Sequence, residues 1–239
     1  HDEHSVIILP FEERSEFIEN GKSYSNIVRA KHDFGEQSHI GMIATDRRFE
    51  GGGSGSLFGV DGKIRFSPNN SMVYQFLSTH TEEVDNPALA DSAFNAARFD
   101  GDKYTAGLDG ESFQGYGWVV GLNRDKANYS AFTSYTEVSP TFRADNGFET
   151  SNNWRRLEFE LQGIKRFEES TILENITGSV NATRKWNFDG VKKDEWVNAS
   201  LETRFRAGQP GIHSNYMASD ELIRLSRLLY AHGLSVAQE

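Results

Sequence analysis

Between Ser112 and Val138 the sequence changes character at every second residue, and that period sets the terms for the rest of the chain. On the outward arm Tyr116, Trp118, Val120 and Leu122 share one face, while Gly115, Gly117, Gly121 and Asn123 hold most of the other, with Val119 as the exception. After a turn at Arg124-Asp-Lys-Ala127, the residues Tyr129, Ala131, Thr133 and Tyr135 alternate in the same way. A period of two means extended strand, because successive side chains point to opposite sides. The pair is a hairpin with one small, polar face and one aromatic-aliphatic face. That division suits a sheet with water on one side and lipid on the other.

The same pattern recurs along the chain. Strands are expected at 24–34, 38–47, 57–66, 71–82, 112–123, 128–139, 154–167, 171–186 and 196–207. In the third of these Phe58, Val60, Ile64 and Phe66 oppose Gly59, Asp61, Lys63 and Arg65. In the seventh Leu157, Phe159 and Leu161 oppose Arg156, Glu158, Glu160 and Gln162. In the ninth Val197, Ala199, Leu201 and Phe205 oppose Asn198, Ser200, Glu202 and Arg204. Short turns join the first strand to the second, the third to the fourth, the fifth to the sixth and the seventh to the eighth. Longer connections alternate with them, which is the loop asymmetry of outer-membrane barrels. The longest is the acidic stretch 83–110, with a short helix expected at Ala88 to Arg98.

Composition allows this reading. No apolar run approaches the ~20 residues of a membrane helix, but a barrel strand needs only ~10 alternating ones. The formal net charge of −10 argues against a nucleic-acid surface. With no cysteine there is no disulfide framework and no thiolate metal site. The charged start His1-Asp-Glu-His4 is not a signal peptide, so either a signal was removed or this is an internal piece of a longer chain. Residues 1–22 read as a surface lead-in. The stretch Ser219 to Tyr230 has an N-cap serine, early acids and apolar residues at Leu222, Leu225, Leu228 and Leu229, which predicts an amphipathic helix. Nine strands and a helical end suggest an incomplete barrel.

Four stretches resemble a family of large bacterial envelope proteins: Ile7-Ile-Leu-Pro-Phe-Glu-Glu-Arg-Ser-Glu16, Ser25-Asn-Ile-Val-Arg29, Ser38-His-Ile-Gly-Met-Ile-Ala-Thr-Asp-Arg47 and Val138-Ser-Pro-Thr-Phe-Arg-Ala-Asp-Asn-Gly-Phe148. Members of that family carry an N-terminal module similar to family-nine carbohydrate-binding domains, followed by an outer-membrane β-barrel domain of unknown function. The resemblance spans residues 5–208. It implies a middle piece of the barrel domain and brings no catalytic residues with it. The helical tail departs from the family's pattern.

Candidate chemistry is sparse. Asp100, Asp102 and Glu111 occupy positions one, three and twelve of a calcium loop, but the position-five ligand and the position-six glycine are missing. Looser divalent binding by the acidic loop stays open beside a solvated loop. The histidines show no ligand spacing, and no Gly-x-Ser-x-Gly occurs. Glu158 and Glu160 share a strand face and could mimic a glycosidase pair, yet Arg155 and Arg156 beside them favour ion pairing. The Asn-x-Ser/Thr triplets at Asn128, Asn175, Asn181 and Asn198 read as polar wall residues.

The expectation is therefore an all-β, antiparallel transmembrane β-barrel, incomplete, with about nine strands and a short C-terminal helix. It divides into a lead-in at 1–22, barrel strands at 23–208 and a helical tail at 209–239. Arg29, Lys63, Arg65, Arg156, Glu158, Glu160, Glu202 and Arg204 are expected to line the lumen. The loop carrying Phe142, Arg143, Asp145 and Phe148 is expected to fold inward and narrow or plug it. The protein is expected in the bacterial outer membrane, against lipid, passing or binding a solute such as carbohydrate. No enzyme activity, cofactor or metal is expected. The alternatives are a soluble carbohydrate-binding β-sandwich and a barrel-embedded hydrolase.

Overall fold

The computed structural model describes residues 2–206 and 211–219. It is all-β and antiparallel. Strands β1 (Ser5–Phe11) and β2 (Arg14–Asn20) form a separate hairpin. The main wall follows as β3 (Ser23–Phe34), β4 (Ser38–Phe49), β5 (Ser54–Ser67) and β6 (Asn70–Glu82). The long connection holds a turn of 3-10 helix at Pro87–Leu89 and the helix α1 (Ser92–Ala96), which Asp91 caps. It also holds the two-residue strands β7 (Arg98–Phe99) and β8 (Tyr104–Thr105). The wall resumes with β9 (Ser112–Lys126), β10 (Tyr129–Val138), β11 (Trp154–Arg166), β12 (Leu173–Trp186), β13 (Lys192–Phe205) and β14 (Gly211–Ser219).

Ten of these strands make one sheet in the order β14-β13-β12-β11-β10-β9-β6-β5-β4-β3, with every sequential pair antiparallel. The period-two pattern explains the registers. Val60 stands opposite Phe76, Phe76 opposite Trp118, Tyr135 opposite Leu157, and Leu161 opposite Val180, so the apolar residues collect on one face.

Two expectations change. Within the stretch read as a surface lead-in, Ser5–Phe11 and Arg14–Asn20 form a paired hairpin. Its apolar run Val6-Ile-Ile-Leu9 alternates in use, with Ile7 and Leu9 buried and Val6 outward. Residues 211–219, placed in the helical tail by the sequence, form a tenth strand paired with β13. Ile212, Tyr216 and Met217 are exposed on it. Of the helix expected at 219–230, Ser219 instead ends β14, and 220–230 lie outside the described residues.

Loop lengths sort by sheet end as expected for three of the four pairs. Residues 35–37, 68–69 and 127–128 turn the chain at one end, while 50–53, 83–111 and 139–153 connect it at the other. The last pair reverses, since 167–172 is longer than 187–191.

Hydrophobic burial is concentrated at the long-loop end and not between two sheets. Ile7, Leu9 and Ile18 of the first hairpin pack with Phe49, Val84, Ala90 and Leu108. The hairpin thus shares a small core with the 83–111 loop. Its root bonds to the β3 end of the sheet, where Asp2 exchanges backbone hydrogen bonds with Ser23. Its tip reaches the other end, where Lys193 of β13 donates to Glu12 at 2.8 Å.

Candidate functional site

The two faces of the sheet have opposite fates. Phe58 and Leu201 are each 51% exposed, and Met42, Phe76, Leu122, Leu157 and Phe159 are also open. No second layer covers this face among the described residues, so the soluble-sandwich alternative lacks its defining contact. Near the long-loop end the same face carries aromatic rings in sequence across the strands. Phe76 stacks on Trp118, Trp118 lies 5.1 Å from Tyr135, and Tyr135 lies 6.0 Å from Trp186.

The opposite face is polar and concave. Asn123 and Asp125 of β9, Ser130 and Phe132 of β10, Glu160 and Gln162 of β11, and Ser179 and Asn181 of β12 line one cavity of about 530 Å³. The space is an open hollow to which Ala131 and Leu161 also contribute. Arg29 forms two hydrogen bonds with Asp61, at 2.5 and 2.7 Å. Arg156 pairs with Glu158 at 3.2 Å, and Glu158 also accepts from Ser134. Arg204 pairs with Glu202 at 3.4 Å. Lys63 alternates with Asp61 on this face, and Arg65 turns back to the carbonyls of Ser67 and Pro68. The expected lumen residues therefore share one side of the sheet, but as local pairs. Glu158 pairs with Arg156 and accepts from Ser134, while its neighbour Glu160 lines the open cavity.

At the long-loop end this face is covered. The 139–153 connection folds over β9, where Phe142 is only 4% exposed. A side chain at Gly115 would stand 2.5 Å from Phe142 Cα, so the missing Cβ is what lets the loop settle there. Likewise the Asp145 carboxylate occupies the space that a side chain at Gly55 would take.

Arg143 is the hub. Its guanidinium is held between Glu83, at 3.1 Å, and Asp145, at 3.2 Å, with all three side chains buried. Arg47 of β4 donates to the backbone carbonyl of Asp145 at 2.7 Å. Asn152 bonds to Pro10, Glu12 and Pro140, tying the loop to the first hairpin. Phe148 is the correction: it is 79% exposed and lies 6.0 Å from Phe17, so it does not anchor the loop inward. Gly147 places it past the turn that carries Phe142 down.

The acids of the long loop also regroup. Asp100 and Asp102 sit at positive φ in the β7–β8 turn, and the carboxylate group that contains Glu111 among the described residues includes neither of them. Glu111 instead joins Glu83 and Asp109, whose carboxylates offer oxygens within 4.8 Å of one another. Burial pushes the Glu83 carboxyl up to about 8, opposed by the Arg143 charge and by the backbone amide of Asp109, while the carboxylates of Asp109 and Glu111 add to the shift. Glu12 is held below the usual carboxylate range, chiefly by the Lys193 hydrogen bond. Sequence reading missed Glu83 and Asp109. The signal was there: continuing the β6–β9 pairing one step puts Glu83 opposite Glu111, and the bridge after it pairs Asp85 with Asp109.

No protein-family profile matches the chain, and no curated protein matches it. Among solved structures, similarity is found to BamA from Haemophilus ducreyi lacking POTRA domains 1–3, with a TM-score of 0.47 and 11% identity. The match covers 90% of this chain and 54% of that one, so the chain spans about half the length of the structure it resembles.

Proposed function

We propose that this chain is part of an outer-membrane β-barrel whose polar lumen binds or passes a small hydrophilic solute, carbohydrate among the candidates, without covalent chemistry. One observation carries the reading: the apolar face is bare while the charged face wraps a cavity. In water the cost runs the other way, at roughly 25 cal/mol for each Å² of apolar surface left exposed. In lipid the exposed band is at home, and the Phe76, Trp118, Tyr135 and Trp186 rings match the girdle at a membrane interface.

The 139–153 loop, the first hairpin and the 83–111 loop serve as a plug at the long-loop mouth. The outer edges of β3 and β14 have no partner strand among the described residues. Hydrocarbon does not tolerate unpaired backbone amides, so in the membrane these edges are closed by further strand pairing.

The test is fractionation followed by conductance. The full chain should partition with outer membranes and need detergent for release. In planar bilayers the Arg143→Ala, Asp145→Ala double variant should conduct better than the parent. Release by salt alone, without detergent, would defeat the membrane reading. Equal conductance would defeat the plug.

A further inference from the structure

The acids at the root of the 83–111 loop are unusual in their charge balance. Glu83 ends the run of β6 into the loop, and Glu111 precedes β9 on the returning side. The amide of Glu83 donates to the Glu111 carbonyl, and Asp85 bridges Asp109 beyond them. The ladder thus continues past Glu82 and Ser112, and its pleat brings Glu83, Asp109 and Glu111 together. Like charges facing across strands are destabilising. Here one of them is also buried, with only 2% of the Glu83 side chain exposed.

The described cation in contact is Arg143, and it is shared. It pairs with Glu83 Oε1 and with Asp145 Oδ1, so within the Glu83, Asp109 and Glu111 group it touches Glu83 alone. Glu83 Oε2 is buried with no hydrogen-bond partner, and so is Asp145 Oδ2. A buried carboxylate oxygen left without a donor is costly. Asp109 and Glu111 are each half committed: Asp109 Oδ2 accepts from the Thr105 hydroxyl, and Glu111 Oε2 accepts from the Thr105 amide. Each keeps its second oxygen. Thr105 thereby fixes the orientation of both acids.

We infer that Glu83, Asp109 and Glu111 form a site for a hard divalent cation, calcium above all, that clasps the two ends of the 83–111 loop. The chemistry is oxygen-only, with three carboxylates from two chain segments and an exposed side at Asp109 for water ligands, which calcium accepts more readily than a tetrahedral metal does. The orphan oxygen of Glu83 is the observation that singles this cluster out from an ordinary acidic surface. The bound ion would neutralise what Arg143 alone does not. It would also hold in place the segment that packs with the first hairpin.

The test uses the full chain in detergent, stripped with EDTA and titrated with calcium chloride by calorimetry, with magnesium as comparison. One calcium per chain is expected, in the range of about 10⁻⁴–10⁻³ M typical of extracellular modules. Trypsin provides the second readout, since Arg98 and Lys103 lie exposed inside the loop. Calcium should slow cleavage there about tenfold. Asp109→Asn and Glu111→Gln keep their Thr105 contacts and relieve like charge, so the EDTA-state melting temperature should not fall, while calcium binding weakens at least about tenfold and the protection is abolished. The proposal is overturned if the parent binds no calcium up to about 10 mM. It is also overturned if the two variants bind as the parent does, or if the cluster takes up only a proton and trypsin is indifferent to calcium.

Discussion

Phe142 rests its backbone on Gly115, in the one place on β9 where a side chain would stop it. Beside it Ser139 of the same loop exchanges hydrogen bonds with Tyr116 of β9. Replacing Gly115 with valine should lift the loop, costing about 1–3 kcal/mol as overpacking does. Chemical denaturation would read the cost, and bilayer conductance should rise in the same variant.

The two phenylalanines of that loop should behave differently. Phe142→Ala removes a buried ring and is expected to cost about 3–5 kcal/mol. Phe148→Ser changes an exposed one and should stay within about 0.5 kcal/mol. Denaturation midpoints of the two variants, taken side by side, decide this.

Arg143→Ala leaves the buried Asp145 carboxylate without its guanidinium partner and is expected to destabilise by about 3–5 kcal/mol. Adding Asp145→Asn should recover part of that loss, because the uncompensated charge is then gone. A double-mutant cycle measures the coupling.

The pH dependence follows from Glu83, which faces Arg143, Asp109 and Glu111. Its folded pKa, about 8, lies above the ordinary 4.5, so the folded chain binds the proton more tightly than the unfolded chain. The sign is fixed by that order. The contribution to stability is full below pH 4.5 and is lost as pH rises through 8. In EDTA, the melting temperature should therefore fall between pH 5 and 9 because of this group, and Glu83→Gln should flatten the slope. A parent slope equal to that of the variant would count against the assignment.

The faces should respond unequally to charge. Phe159→Arg puts a cation on the bare apolar band and should weaken membrane insertion by about 2–4 kcal/mol if it sits near the midplane. Glu160→Gln, one residue along on the cavity side, should leave insertion unchanged. Folding yield into lipid vesicles compares the two.

Strand positions were legible because each face of the sheet meets a uniform environment, so alternation survives into the sequence. Phe58 to Phe66 and Leu157 to Leu161 show it plainly. It fades where a strand is short or mixed. In 212–217, Ile-His-Ser-Asn-Tyr-Met has no steady alternation, and the tenth strand is visible only through its pairing with β13. The first hairpin was hidden because Pro10 looks like a stop, while in the structure it stands opposite Ser15 within the pair. Charge signs placed Arg143 and Asp145 in one reading, but Glu83 is distant in sequence and only the fold of the loop brings it near. Phe142 and Phe148 are the same residue type in the same loop. What separates them is Gly115, on another strand.

The bond between Lys193 and Glu12 has a consequence for the order of assembly. Each strand of the meander needs only its predecessor as a template, so the wall can extend one hairpin at a time from the amino-terminal side. The Glu12 tip cannot dock until residue 193 has arrived, after most of that extension is done. The hairpin that precedes the wall in the chain is therefore among the last parts to be seated, and its seating reports that the wall has grown as far as β13.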